Sequence, residues 1–144
     1  MHIYLIRHGH YNPSHIDPEE GLSELGEEQV AEMADHIDHS IDIILTSPKT
    51  RAHQTATILA KLLNTPTITL SEALKPSAES TEAIKLFKKS GNYLVVGHLP
   101  SIQKTAQLLT TEPIDEFQPA TLVHIETTDP SHPTGRLYFH RSPT

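Results

Sequence analysis

His2-Ile3-Tyr4-Leu5-Ile6-Arg7-His8-Gly9-His10 begins with a short β-prone run and stops at an arginine, an imidazole and a glycine. The apolar part is too short for a signal peptide or for the ~20 residues of a membrane span, so it reads as a buried strand. Two further stretches share this form. Ile41 to Leu45 leads into Thr46-Ser47-Pro48, and Tyr93-Leu94-Val95-Val96 leads into Gly97-His98-Leu99-Pro100. The last run has no polar alternation, as expected of a central strand covered on both faces.

Helical patterns fill the intervals. Ser23 is an N-cap for a helix to about His39, with Val30, Met33, Ala34 and Ile37 on one apolar face. Ser47-Pro48 reads as an N-cap followed by proline at the first helical position. That helix runs to about Asn64, with Ala52, Ala56, Leu59, Ala60 and Leu63 inward. Thr67 to Leu70 is a third short strand, Ala78 to Lys89 a weaker helix, and Ser101 to Leu109 another helix. Leu122 to Ile125 and Arg136 to His140 read as antiparallel neighbours joined through Pro130, Pro133 and Gly135. The expected fold is α/β: a three-layer αβα sandwich with a mainly parallel sheet, helices on both faces and an antiparallel C-terminal edge.

Composition narrows the function. The 144 residues are expected to form one domain, 1–144, and are 36% hydrophobic and 20% charged, ordinary for a globular chain. Eleven Lys and Arg against 18 Asp and Glu give a net charge of −7, which argues against general nucleic-acid binding. No cysteine is present, which excludes disulfides, thiolate zinc sites and cysteine nucleophiles. A cytoplasmic chain with no membrane span is the default expectation. The sequence leaves the oligomeric state open.

In sheets of this kind ligands bind beyond the carboxyl ends of the strands. Arg7, His8, Arg51 and His98 would converge there, with no carboxylate inside the three motifs. That set suits a phosphoryl group. Arginine offers a planar fork to phosphate oxygens, a helix N-terminus adds N–H donors, and a neutral imidazole is a competent nucleophile. Gly9 would let the backbone approach closely, either to orient His8 or to admit substrate. Arg51 in a first helical turn is disfavoured by the helix dipole unless an anion binds there.

Arg7-His8-Gly9 resembles the RHG signature of the histidine phosphatase superfamily, also called phosphoglycerate mutase-like. Thr46-Ser47-Pro48-Lys49-Thr50-Arg51-Ala52-His53-Gln54-Thr55-Ala56 resembles its second motif, and Gly97-His98 the motif of its second histidine. Leu22-Ser23, Gly26 and Gln29 are similar to its first-helix pattern. The resemblance implies a metal-independent phosphatase with no cofactor and with His8 as the nucleophile that forms phosphohistidine. Arg7, Arg51 and His98 would hold the phosphoryl oxygens. Only Ala52 to Gly97 separates the second and third motifs, so any cap over the site must be minimal and the site open. Together with Leu74-Lys75-Pro76, this resembles the SixA-type phosphohistidine phosphatases, implying a phosphohistidine protein as substrate and partner.

Many members carry a glutamate after the third strand that protonates the leaving group, and here Pro76 takes that place. Glu72, Glu79, His10, His15 and Asp17 remain candidate proton donors, and Asn12 or Ser14 candidate phosphate contacts. A missing acid hurts ester cleavage more than phosphohistidine cleavage, because an alkoxide leaves poorly without a proton. The rival functions are a small-molecule phosphomonoesterase of the same superfamily, a non-catalytic phosphate-recognising module, and a histidine-rich metal protein. His36, His39 and His53 read as surface histidines.

Overall fold

Strand β4 (Tyr93–Gly97) is buried along its whole length, and that burial places it inside the sheet. The computed structural model describes residues 1–13, 20–65 and 67–144. Among these, β4 lies between β1 (His2–Arg7) and β2 (Ile43–Thr46), with β3 (Ile68–Leu70) outside β2. These four strands are parallel. Strands β5 (Leu122–Glu126) and β6 (Arg136–Arg141) continue beyond β1, both antiparallel to their neighbours. The full order is β3-β2-β4-β1-β5-β6, the mainly parallel sheet with an antiparallel edge expected from the sequence.

Alternation along the strands divides the core in two. Tyr4, Ile6, Ile44, Leu94, Val96 and Leu122 face one side. There they meet Val30 and Met33 of α1 (Glu24–Ala34) and Ala52, Ala56 and Leu59 of α2 (Thr50–Leu62). Ile3, Leu5, Val95 and Val123 face the other side. They meet Ala83 of α3 (Ser80–Ile84) and Ile102, Ala106 and Leu109 of α4 (Ser101–Leu109). Each large side chain taken from water contributes about 1.5–3 kcal/mol. The result is the three-layer sandwich. Between α2 and β4 the described chain holds only β3, one turn of 3₁₀ helix at Glu72–Leu74 and α3, so the cap is minimal.

Several boundaries differ from the sequence reading. Ser23 caps α1 as expected, accepting from Gly26 N, but the helix ends at Ala34 rather than near His39. The chain tightens there into i→i−3 bonds from Asp35, His36 and Ile37, carrying His39 off the helix. Ser47 does not cap α2. Lys49 holds the cap position, because the Ser47 hydroxyl is engaged by Lys49 N and His98 instead. The α2 terminus is a Schellman turn: Asn64 takes φ 53°, and Thr65 N donates to Ala60 O at 2.9 Å. Helix α3 spans only Ser80–Ile84, and 3₁₀-type bonds through Phe87 replace the expected remainder.

Two glycines bring α1 against the loop after β1. A Cβ on Gly9 would lie 2.7 Å from Gly26 O, and one on Gly26 would strike the His10 carbonyl. Gly26→Ala is therefore expected to destabilise the fold by about 1–3 kcal/mol through overpacking, despite the ~1 kcal/mol that alanine returns in helix propensity. A urea midpoint equal to or above that of the native chain would contradict this packing.

Candidate active site

Strand register sets the site. Arg7 pairs with Gly97 across β1 and β4, so the next residue of each strand is a histidine and the two stand side by side. The ring centroids of His8 and His98 are 4.9 Å apart. Thr46 pairs with Val96 on the other flank of β4, which brings Ser47 to the same edge. These three parallel strand ends lie adjacent in the order β2-β4-β1.

His8 is held on both sides. Its backbone N–H donates to Gly97 O at 3.1 Å. Its Nδ1 lies 2.8 Å from the Gly9 carbonyl, an acceptor only, so Nδ1 carries the proton and Nε2 keeps its lone pair. Gly9 N in turn donates to Thr55 Oγ1 at 3.2 Å, and Thr55 Oγ1 donates to Arg51 O at 2.9 Å. One threonine on α2 thus ties the loop that orients His8 to the arginine beside it. Arg51 Nε points at His8 Nε2 from 3.4 Å, and its guanidinium lies 4.5 Å from the Tyr11 ring centroid. The Tyr11 ring also meets the His8 ring edge-on at 5.4 Å.

His98 Nε2 bonds Ser47 Oγ at 2.9 Å, while its Nδ1 is buried without a hydrogen-bond partner. Arg7 Nη1 donates to Phe117 O at 3.0 Å, and Arg7 Nε is likewise buried without a partner. Two side chains thus bring unpaired polar atoms to an edge that already holds Arg51. This cationic, donor-rich arrangement suits a tetrahedral oxyanion, for which arginine forks and imidazoles are matched donors.

Electrostatics keep both imidazoles neutral. Burial pushes His8 down to about 4, against the raising effect of its bond to Gly9, and Arg51 and Arg7 lower it further. Burial also pushes His98 down to about 3, with His8, Arg51, Lys49 and Arg7 adding to it. A neutral His8 with Nε2 unprotonated is the nucleophilic form at pH 7.

All four residues read from the motifs, Arg7, His8, Arg51 and His98, meet at this edge, and the Gly9 carbonyl accepts from His8 Nδ1. His8 is only 3% exposed, however, although the described elements include no cap domain over it. Tyr11, Arg51 and His98 crowd around it, a consequence that chain length alone does not reveal. Of the proton-donor candidates, Glu72 is tied to Lys75 at 2.6 Å and its side chain is 76% exposed. Glu79 is exposed at the start of α3. His10 turns toward α1, with Nδ1 on Ser23 Oγ at 2.7 Å. His15, Asp17 and Ser14 lie outside the described residues, and Asn12 is exposed. Sequence reading missed four participants: Tyr11, Ser47 as the partner of His98, Thr55, and Glu116, whose charge acts on Arg7 from the loop before β5. Ser47 and Thr55 lie within the second motif, but their bonds to His98 and Gly9, like the places of Tyr11 and Glu116, come from tertiary packing.

Residues 3–76 match the sequence model of the histidine phosphatase superfamily (branch 1). No curated protein sequence matches the chain. Among solved structures, the protein histidine phosphatase SixA in complex with tungstate is 25% identical, with TM-score 0.84 over 99% of this chain and 97% of that one. A protein assigned as phosphohistidine phosphatase SixA from Agrobacterium tumefaciens shares the fold at 19% identity, with TM-score 0.80 over 99% of this chain and 98% of that one. One so assigned from Nakamurella multipartitia shares it at 18% identity, with TM-score 0.82 over 99% and 95%.

The lowered histidines predict a pH-dependent stability. Below 6.5, their ordinary value, the unfolded chain takes up protons that folded His8 and His98 refuse. Stability is therefore lost as pH falls from about 6.5 to about 4, and for His98 on to about 3, by up to ~1.4 kcal/mol per pH unit for each histidine. Urea midpoints between pH 7 and pH 4 should fall less steeply for His98→Asn than for the native chain. Equal slopes would show that His98 is not held neutral.

Proposed function

The chain belongs to the histidine phosphatase superfamily and is a phosphatase, and from that premise we propose that it hydrolyses phosphohistidine on a partner protein through a phosphoenzyme on His8. The observation that carries this reading is the His8 ring itself. Nδ1 is fixed on Gly9 O, and Nε2 faces Arg51 between two arginines and a second imidazole.

In the first step, His8 Nε2 forms a bond to phosphorus as the bond from phosphorus to the partner's imidazole nitrogen breaks. The partner imidazole, protonated on its other ring nitrogen beforehand, leaves neutral and takes no proton from the site. Arg7, Arg51 and His98 hold the equatorial oxygens, where the transition-state charge collects. Gly9 positions His8 rather than touching phosphate. In the second step, water attacks phosphorus, inorganic phosphate leaves, and neutral His8 is restored. The whole of 1–144 acts as one domain in this reading.

Two features support a protein-borne phosphohistidine over a phosphate ester. The cap between α2 and β4 is minimal among the described residues, which suits a macromolecular substrate although His8 itself is 3% exposed. The glutamate position is Pro76, and Glu72 and Glu79 are solvent-directed or paired. An imidazole that leaves already protonated needs no strong acid, whereas an alkoxide does. The SixA structure that is 25% identical adds weight to the same choice.

The test is phosphate release from a phosphohistidine-bearing carrier protein without added metal, beside a phosphate ester. Release from the carrier is expected to persist in chelator and to vanish in His8→Ala. Arg51→Ala should lower kcat about 10²–10³-fold, the usual cost of one oxyanion donor. Arg51→Lys should not restore it, since an ammonium lacks the fork. Activity on the ester alone would move the function to small-molecule metabolism. Silence on both substrates, with no trapped phosphoenzyme, would favour a recognition module.

A further inference from the structure

A second group of histidines sits at the opposite end of β1. His2, His39 and His124 each place one ring nitrogen within 4.8 Å of the others, the one such potential metal-binding group among the described residues. They come from β1, from the loop after α1 and from β5. Five residue steps along β1 lead from His2 to Arg7, about 17 Å at ~3.3 Å per residue, so this cluster is not part of the phosphoryl site.

The surroundings are those of a ligand set. His2 Nδ1 and His124 Nε2 lie 2.9 Å apart. Two nitrogens bound to one tetrahedral zinc at 2.0–2.1 Å stand about 3.3 Å apart, so the pair is already near ligating separation, and an ion would replace the hydrogen bond as both rings tilt to aim their lone pairs at it. The other nitrogen of His2 lies 3.3 Å from a Glu126 carboxylate oxygen. That contact favours the tautomer with the proton on Nε2 and the lone pair on Nδ1, the carboxylate–histidine–metal arrangement. His39 Nδ1 lies 2.9 Å from Tyr4 Oη, which already accepts from Asp38 N, leaving Nε2 of His39 as the ligating atom. The His124 ring is stacked between Tyr4 at 4.1 Å and Tyr138 at 4.7 Å, which fixes its plane. His39 stacks on His2 at 3.6 Å, and its ring must turn out of that stack to ligate. Its place on a loop makes the turn a local one.

We propose that His2, His39 and His124 form a binding site for one borderline-soft divalent cation of the zinc class, ligated by three imidazoles and a fourth, non-histidine ligand. Imidazole sets of this kind suit Zn²⁺, Co²⁺, Ni²⁺ and Cu²⁺ rather than Mg²⁺ or Ca²⁺. An ion here ties β1, β5 and the α1–β2 loop together at the base of the sheet. Its role is to stabilise the fold, not to enter the reaction at His8. Binding requires the His124 proton to sit on Nδ1, a change of tautomer with no net proton transfer to solvent.

The experiment is titration of the full chain with Zn²⁺ by calorimetry and with Co²⁺ by visible absorption, after chelator treatment. One ion per chain is expected, with a tetrahedral Co²⁺ spectrum and a rise in Tm on adding Zn²⁺. His39→Ala should lose the spectrum and the Tm rise while keeping its phosphatase activity. Glu126→Gln should weaken binding about 10- to 100-fold without removing a ligand. His8→Ala should bind as the native chain does, which separates this site from the phosphoryl site and makes the result independent of the proposed reaction. No binding at ~100 μM metal, or equal binding by native chain and His39→Ala, would overturn the assignment.

Discussion

The hydrogen bond from His8 N to Gly97 O, 3.1 Å long, continues the β1–β4 ladder one step past the paired residues Arg7 and Gly97. That parallel register is the constraint on which the site depends. It brings His8 and His98 level, and it places the unpaired polar atoms of both motifs at one edge. The register is held by burial on both faces. A slip of one residue would exchange Tyr4 and Ile6 with Ile3 and Leu5 between the two halves of the core, turning every fitted side chain the wrong way. Core packing and site geometry are therefore one requirement, not two.

Around this edge the chain assembles charge without neutralising it. Arg7 and Arg51 face the site, both imidazoles stay neutral through burial, and among the described residues exposed Glu116 is a carboxylate whose charge acts on Arg7. The Tyr11 ring supplies a soft counterpart for the Arg51 guanidinium, and a carbonyl at Phe117 does so for Arg7. Such partners hold a cation in place without cancelling its charge, as a phosphoryl-binding site requires. The Gly9–Thr55–Arg51 chain then couples the orientation of the nucleophile to the position of its neighbour.

Five of the eleven histidines of the chain perform different work at the two ends of one strand. At the carboxyl end of β1, His8 meets His98 among arginines. At its amino end, His2 meets His39 and His124 among tyrosines and a carboxylate. The same side chain has arginine neighbours in one place and a glutamate in the other, so the first arrangement favours an anion and the second a cation. His39 shows how this escapes a one-dimensional reading. Periodicity put it on α1 as a surface residue, but the helix stops at Ala34 and the released chain lays His39 on His2.

The sequence alone determined the layer order, the parallel sheet with its antiparallel edge, and the meeting of Arg7, His8, Arg51 and His98. Apolar periodicity and strand-end residues are local, and the carboxyl ends of adjacent parallel strands must face one way. Tertiary structure alone decided what those residues touch. Ser47 serves His98 rather than capping α2, because a hydroxyl has few bonds to give and the strand order brings an imidazole to it first. Tyr11 and Glu116 enter from segments whose local pattern carries no signal, and Thr55 gains its bond to Gly9 only through packing. The burial that makes His8 neutral comes from these neighbours, and so does its 3% exposure beneath a minimal cap. A motif names the groups that can react; only packing sets their solvation, and solvation sets their protonation state.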